Sequence, residues 1–420
     1  MKANIINELS GEKKISPKAF LKQGRINSQE INKKDIFFAI RGKKNDGNKF
    51  ISEAFKKKAS IAIVNTINKN YNKKHQVKVN DTLKFLTKSS KIYRQNINAK
   101  IIAITGSCGK TSLKELLGSS LGQISKVSFS PKSYNNKYGV PLSLFNLKQK
   151  DDYGVLEIGM DKKGEIDYLS KIVRPDVSVI TNITYAHAKN FKNIKQIALA
   201  KSEIISNTKD NGFIVLNADD NFFSLHKKLA IKKNLNIISF GIKNKNSNIK
   251  LLDIKKADKK YKATIKVNNI KTYFLIKNDF QNNILNILAT LAVMSIYLDI
   301  SKIDKNIFYN FKTPDGRGDI SKIRHKNKLL NLIDESYNSN PLSLKSAIHN
   351  FDKIKSKKSK KYLLLGDMLE LGKYSKKLHQ YIGRIINRTK IDKVFVKGHK
   401  ILFTYNSIIK SKRGRILNNN

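Results

Sequence analysis

One octapeptide constrains this chain more than any other feature: Thr105-Gly106-Ser107-Cys108-Gly109-Lys110-Thr111-Ser112. It lies between an apolar run, residues 101–105, and a stretch with helical spacing, residues 110–121. A strand that turns through a glycine loop into a helix aims several backbone N–H groups and the positive end of the helix at one point. That point is a site for phosphate. Lys110 is placed to reach the β- and γ-phosphates of a nucleoside triphosphate, and the Thr111 hydroxyl to face Mg²⁺. Gly106, Ser107, Gly109 and Ser112 complete the predicted cradle. The general P-loop pattern is met incompletely, because Ile104 stands in the place of its first glycine.

Such a loop needs a parallel sheet behind it, and the flanking sequence predicts one. Strand patterns at 154–158 and 177–183 alternate with a helix pattern at 165–173, which argues for a sheet covered by helices. An antiparallel pair at 262–267 and 271–276 follows, then an apolar helix at 283–298. Earlier residues carry strand-like runs at 36–40 and 61–64. Beyond Pro314 the alternation resumes: strands at 329–333, 362–365 and 393–396, helices at 342–354 and 378–389. The reading is an α/β chain of three domains. A small N-terminal α/β unit spans 1–97, a central P-loop parallel-sheet ATPase domain 98–312, and a Rossmann-like C-terminal unit 313–420.

Charge raises a competing reading. With 83 Lys+Arg against 32 Asp+Glu the net charge is +51, a balance that brings nucleic acid or an anionic surface to mind. The excess is nearly all lysine, spread along the chain among abundant Asn and Ile, and drift toward A/T-rich codons explains it without a binding site. The apolar strand before Asp334-Glu335 also looks like the Walker B strand of a motor ATPase, but it lies over two hundred residues after the loop. Residues 1–20 are broken by Lys2, Glu12, Lys13, Lys14 and Lys18, unlike an export signal, and the apolar run 285–298 is too short to span a bilayer. The lone cysteine, Cys108, excludes an internal disulfide or multi-cysteine metal cluster and reads as a small loop residue. A cytoplasmic chain is the expectation.

Two further side chains fit metal chemistry by position. Glu157 ends a strand, and His187 follows Thr181-Asn182 at another strand end, the edge where ligands collect in α/β sheets. An oxygen-rich site with one imidazole suits Mg²⁺ or Mn²⁺ better than Zn²⁺.

The loop and its surroundings resemble the Mur ligase family. Besides residues 104–112, Asn135-Asn136-Lys137-Tyr138-Gly139-Val140-Pro141 is similar to its Asn-Asn-x-x-Gly-x-Pro segment, and Glu157-Ile158-Gly159 to its Glu-x-Gly. Thr181-Asn182-Ile183 through His187, Ala200-Lys201-Ser202-Glu203-Ile204, residues 283–288 and Gly316-Arg317 follow in the family's order. Asp334-Glu335-Ser336-Tyr337-Asn338-Ser339-Asn340-Pro341 and Gly366-Asp367-Met368-Leu369-Glu370-Leu371-Gly372 resemble the D-alanyl-D-alanine-adding branch, and the Asp-Asn-Pro-Arg of a sister branch is missing. Residues 35–42 with Asp46-Gly47 are similar to the family's uridine-diphosphate domain.

The resemblance implies ATP as cofactor and UDP-N-acetylmuramoyl-tripeptide and D-alanyl-D-alanine as substrates. It implies Lys110, His187 and Lys201 as catalytic residues, with Lys201 converted by CO₂ into a carbamate. Thr111, Glu157, His187 and Lys201 would hold Mg²⁺ (or Mn²⁺); Asn283, Arg317 and Asp334 would hold the nucleotide, the last two after domain closure. Ser28, Asp46, Gly47, Asn135, Asn136, Tyr337, Asn338 and Asn340 would contact substrate. It further implies a monomer that needs no nucleic acid and inserts into no membrane. The sequence departs from the family pattern at Asn282, where histidine is frequent, and ends at Asn420 soon after Lys397-Gly398, which predicts a shortened C-terminal unit. Alternatives are another Mur or folylpolyglutamate-type ligase, a nucleic-acid-stimulated ATPase, and an inactive scaffold.

Overall fold

The strand Lys100–Thr105 lies inside a nine-stranded sheet, in a computed structural model that describes residues 1–417 except 14, 43–44, 259, 327 and 355–358. Ile101, Ile102, Ala103 and Ile104 are all fully buried, so both faces of the strand are covered, as the unbroken apolar run requires. Successive side chains point to opposite faces. Ile101 and Ala103 pack with the helices Glu165–Val173 and Ile194–Ser206, whereas Ile102 and Ile104 pack with Lys110–Gly122 and Gln281–Met294.

The parallel neighbours of this strand are Tyr153–Glu157 and Val177–Ile180. The next strand in the chain, Val127–Phe129, lies beyond Tyr153–Glu157, while Val177–Ile180 falls on the opposite side. Chain direction across the sheet therefore reverses beside Lys100–Thr105, and the crevice at the carboxyl ends of such strands is where α/β sheets bind ligands. Phe213–Asn217 and Asn236–Gly241 continue the parallel part. The predicted antiparallel pair is present as Lys260–Val267 and Ile270–Ile276, joined by an unforeseen strand, Ile249–Ala257, that links it to the parallel part. The apolar helix begins at Gln281 and ends at Met294, with Leu288, Leu291, Ala292, Val293 and Met294 fully buried. Among the described residues, no helix is long and apolar enough to cross a membrane.

The N-terminal strands Gly24–Arg25, Ile36–Phe38, Ile61–Val64 and Gln76–Lys78 form a separate parallel sheet. Its core is continuous with the central one. Phe38 meets Phe145 edge-on at 5.7 Å, Tyr93 lies 5.6 Å from Phe145, and the Tyr93 hydroxyl donates to the Leu147 carbonyl at 2.5 Å. The helix Lys2–Ser10, unforeseen in so polar a stretch, buries Ala3, Ile5 and Ile6 in this shared core.

A buried ion pair fastens the same junction. Arg94, in the helix Thr82–Gln95, donates to Asp176 Oδ2 at 2.7 Å and to the carbonyls of Val173 and Arg174. Asp176 also accepts from the Ile101 N–H and from Lys209, each at 2.8 Å. Burial alone would raise the Asp176 pKa, but these donors and cations hold it below the usual carboxylate value. A depressed carboxylate stabilises the fold above its unfolded pKa, about 4, and that stability is lost as pH falls through the folded value. Asp176→Ala leaves Arg94 buried and unpaired and should lower the urea-unfolding free energy by about 3 kcal/mol.

In the C-terminal unit, Tyr362–Leu365, Lys393–Val396 and Arg413–Ile416 make a three-stranded parallel sheet. The strand predicted at 329–333 is present but lies outside that sheet. As Lys328–Asp334 it pairs antiparallel with Asp319–His325, a partner close in sequence that needs only a short connection. The last strand, Arg413–Ile416, lies beyond the final one predicted from sequence.

Candidate active site

The phosphate loop has a shape that only glycine permits at two points. Gly106 has φ +145° and Gly109 φ +80°, and a Cβ on Gly106 would lie 1.9 Å from Thr181 Oγ1. The segment after Val177–Ile180 clamps the loop from the side. Ser107 N–H donates to the Asn182 carbonyl at 2.9 Å and Cys108 N–H to Asn182 Oδ1 at 3.0 Å. Thr181 Oγ1 donates to the Cys108 carbonyl at 2.6 Å, and Thr184 N–H to Ser107 Oγ at 2.9 Å. Gly109 precedes the helix Lys110–Gly122, and Lys110 Nζ donates to the Gly106 carbonyl at 2.9 Å. Ser112 lies in the first turn of that helix.

Thr111 Oγ1 donates to Glu157 Oε2 at 2.7 Å, and Asn135 Nδ2 donates to Glu157 Oε1 at 2.7 Å. Glu157 ends its strand and is buried, so a hydroxyl and a fully engaged carboxylate meet at the carboxyl ends of adjacent strands. Lys201, in the helix Ile194–Ser206, is also buried. Desolvation pushes its pKa well below the usual lysine value, and the charge on Lys110 pushes the same way. Among the described residues, no carboxylate forms an ion pair with it. His187 adopts φ +56°; burial lowers its pKa, Glu370 raises it, and Lys201 and Lys110 lower it further. Lys110, His187 and Lys201 thus lie within electrostatic reach of one another, and Thr111, next to Lys110 in the chain, holds Glu157.

The C-terminal unit contacts the same loop and its neighbours. Arg317 Nη2 donates to Thr111 Oγ1 at 3.0 Å while its guanidinium lies 4.1 Å from the Tyr337 ring centre. Tyr337 donates to Ser133 Oγ at 2.5 Å, and Asn340 Nδ2 to Cys108 Sγ at 2.8 Å. Asn340 at the same time caps the helix Pro341–Lys353. Ser133 has a place here that the sequence did not single out, although it lies two residues before the predicted Asn135; Asn182, part of the Thr181-Asn182-Ile183 match, was not assigned a role.

Other predicted residues make local hydrogen bonds in the structure. Asp334 accepts from Ser336 N–H, Asn338 from Ser339 N–H, and Asn283 donates to Asn278 Oδ1. Asn136 accepts from the Tyr138 and Gly139 N–H groups. On the N-terminal unit, Ser28 donates to Glu53 at 2.7 Å and Asp46 accepts from Asn48 N–H at 3.0 Å. A Cβ on Gly47 would lie 2.6 Å from the Ala39 backbone. The Walker B alternative fails on topology: Lys328–Asp334 is absent from the sheet that carries the phosphate loop.

A P-loop at a sheet switch point, roofed by a third α/β unit, defines a nucleotide-binding enzyme whose site spans two domains. Comparison with known proteins specifies it. The Mur ligase middle domain matches residues 104–294. The UDP-N-acetylmuramoyl-tripeptide–D-alanyl-D-alanine ligase of Buchnera aphidicola (subspecies Acyrthosiphon pisum) is 37% identical over 383 residues, 89% of this chain and 80% of that protein. A crystal structure of MurF from Acinetobacter baumannii superimposes with a TM-score of 0.84 at 26% identity, covering 99% of this chain and 89% of that one. MurF ligase from Thermotoga maritima, solved in complex with ADP, gives 0.78 at 27% identity over 95% and 88%. The chain belongs to the Mur ligase family, among the UDP-N-acetylmuramoyl-tripeptide–D-alanyl-D-alanine ligases.

Proposed function

We infer that this chain joins D-alanyl-D-alanine to UDP-N-acetylmuramoyl-tripeptide while ATP becomes ADP and phosphate, a step of peptidoglycan precursor synthesis. The observation that carries the reading is the meeting of Glu157 and the C-terminal Arg317 at Thr111 of the phosphate loop, with Lys201 under the field of Lys110. The substrates, ATP and a UDP-linked precursor, place the reaction in the cytoplasm.

A carboxylate is a poor electrophile, so it must first be activated. The terminal carboxylate of the tripeptide attacks the γ-phosphorus, the bond to ADP breaks, and an acyl phosphate forms. The free amine of the dipeptide attacks the acyl carbon, phosphate leaves, and the amine loses one proton. The backbone N–H groups of residues 109–111, at the start of the helix Lys110–Gly122, and the Lys110 ammonium neutralise charge on the phosphates. Arg317 binds beside Thr111 from the C-terminal unit, and its closure keeps water from the acyl phosphate. Asn135 and Tyr337 line the substrate side of Glu157 and Ser133.

The donor set suits Mg²⁺: a hydroxyl and a buried carboxylate in contact, with one imidazole near. Thr111, Glu157, His187 and the carbamate of Lys201 would hold it, where it would offset phosphate charge. Carbamate formation needs a neutral amine, which attacks CO₂ and releases a proton. The buried position of Lys201, with no carboxylate paired to it among the described residues, supports that chemistry.

Incubating the chain with ATP, Mg²⁺, UDP-N-acetylmuramoyl-tripeptide and D-alanyl-D-alanine should yield the pentapeptide mass and one ADP per amide. Amide formation with single amino acids instead would move the chain to another Mur or folylpolyglutamate-type activity. ATP turnover that depends on RNA or DNA and ignores the peptide would sink the reading.

A further inference from the structure

Lys114 lies one turn after Lys110 in the helix Lys110–Gly122, and its side chain is fully buried. A buried ammonium needs an acceptor for each of its three N–H groups. Three are present: the Ser130 carbonyl at 2.5 Å, the Lys132 carbonyl at 2.6 Å and Glu115 Oε1 at 2.7 Å. Two of the three belong to one loop, which keeps its shape against a local cost. Lys132 has a left-handed backbone at φ +46°, a conformation that a non-glycine residue holds only where its surroundings impose it. Residues on either side of that point face the site. Ser130 Oγ accepts from the Glu157 N–H at 3.3 Å, Ser133 Oγ lies 3.4 Å from Thr111 Oγ1, and Asn135 Nδ2 donates to Glu157 Oε1 at 2.7 Å. The Asn135 carbonyl in turn accepts from the Gly159 N–H at 2.8 Å. Among the described residues, Lys114 and Lys201 are the buried lysines. Codon drift explains lysines on a surface; it does not explain one that is buried with every donor engaged.

We propose that Lys114 is a positioning residue: its ammonium pins the carbonyls of Ser130 and Lys132 and so sets where Ser133 and Asn135 stand relative to Thr111 and Glu157. The helix that carries it begins at the phosphate loop, so the loop and the cradle are both referred to one rigid element. Without the ammonium the two carbonyls lose their donor, and the left-handed turn at Lys132 loses its restraint. Other atoms make the phosphate cradle, so nucleotide binding survives while the reacting groups lose alignment. The effect on turnover rests on the ligase reading given above; the pinning of the loop does not.

The test compares the full chain with Lys114→Met, which keeps the length of the side chain and removes its charge and donors. Hydrogen exchange should quicken at the amides of Tyr134, Asn135 and Gly159, while the amides of residues 116–121, in the helix itself, stay as they were. Amide formation per folded molecule should fall by about 10²-fold, the loss expected for a displacement near 1 Å. ADP affinity should stay within about 2-fold, as for sites that do not interact. Lys132→Gly, for which the left-handed turn carries no steric cost, should return part of the turnover to Lys114→Met. Adding Asn135→Ala to Lys114→Met should cost less than the sum of the two changes, because both act through one contact with Glu157. Should Lys114→Met not fold, Lys114→Gln, which keeps an amide donor at the buried position, takes its place in every comparison. Exchange that rises equally in helix and loop, turnover unchanged per folded molecule, ADP affinity lost in step with turnover, no rescue by Lys132→Gly, or strictly additive losses would overturn the proposal. If the unaltered chain forms no amide, the ligase reading falls, and the exchange pattern alone decides whether Lys114 holds the loop.

Discussion

Lys201→Ala should lower amide formation by about 10³-fold, roughly 4 kcal/mol of transition-state stabilisation, while the protein stays folded. The ammonium is buried and has no carboxylate partner among the described residues, so as a simple cation it burdens the fold. Its removal should therefore leave the thermal midpoint unchanged or raise it. The pKa direction matters for the chemistry as well. A lysine held well below its usual value has more neutral amine at neutral pH, and only the neutral amine attacks CO₂. A carbamate would invert the charge of a side chain that lies within electrostatic reach of Lys110 and His187, so its loss should cost much. Short carboxylic acids such as formate or acetate should restore part of the activity of the alanine variant by standing where the carbamate stood. Exhaustive CO₂ removal should slow the unaltered chain. Turnover unaffected by the substitution would take Lys201 out of the mechanism.

The second large effect is expected at Gly106. Alanine there must adopt φ +145° and place its Cβ 1.9 Å from Thr181 Oγ1. Thr181 cannot yield freely, because the same oxygen donates to the Cys108 carbonyl and the Thr181 N–H donates to the Thr105 carbonyl. Strain and displacement together should cost about 3 kcal/mol of stability or more. The loop itself must shift, and a displacement near 1 Å at a phosphate site is worth about 10²-fold in binding or rate. Thermal denaturation with and without ADP measures both parts. A variant that melts like the unaltered chain and gains the same stabilisation from ADP would show that the loop does not hold the nucleotide.

What the sequence disclosed, and what it concealed, follow from the range of the interactions. The phosphate loop was legible because strand, glycines and helix are contiguous, and residues 101–104 are apolar on both faces. The strands Val127–Phe129, Asn236–Gly241 and Ile249–Ala257 were not, because lysines and polar residues lie within or beside short apolar runs. In Ile249–Ala257 only Ile249 is buried, so its period-2 signal is nearly erased. The helix Lys2–Ser10 escaped notice for a related reason: three buried apolar residues suffice to dock it, too few to form a visible stripe. Nor could spacing announce that Arg317 meets Thr111 or that Asn340 meets Cys108. Those contacts depend on how one domain sits on another, and motif order carries no such information. Asn136 and Asn338 show a part of the structure that motif order did not announce, since the side-chain oxygen of each caps a turn.

The aromatic junction of Phe38, Tyr93 and Phe145 has a mechanical consequence. It welds the N-terminal sheet to the central sheet as one rigid block, with the C-terminal unit built on a core of its own. If the uridine end of the substrate is gripped by one end of that block and the triphosphate by the other, the span between them is fixed. The block then acts as a gauge: a stem peptide is measured by whether its last carboxylate arrives at the phosphorus, and a shorter stem falls short however well its nucleotide is held.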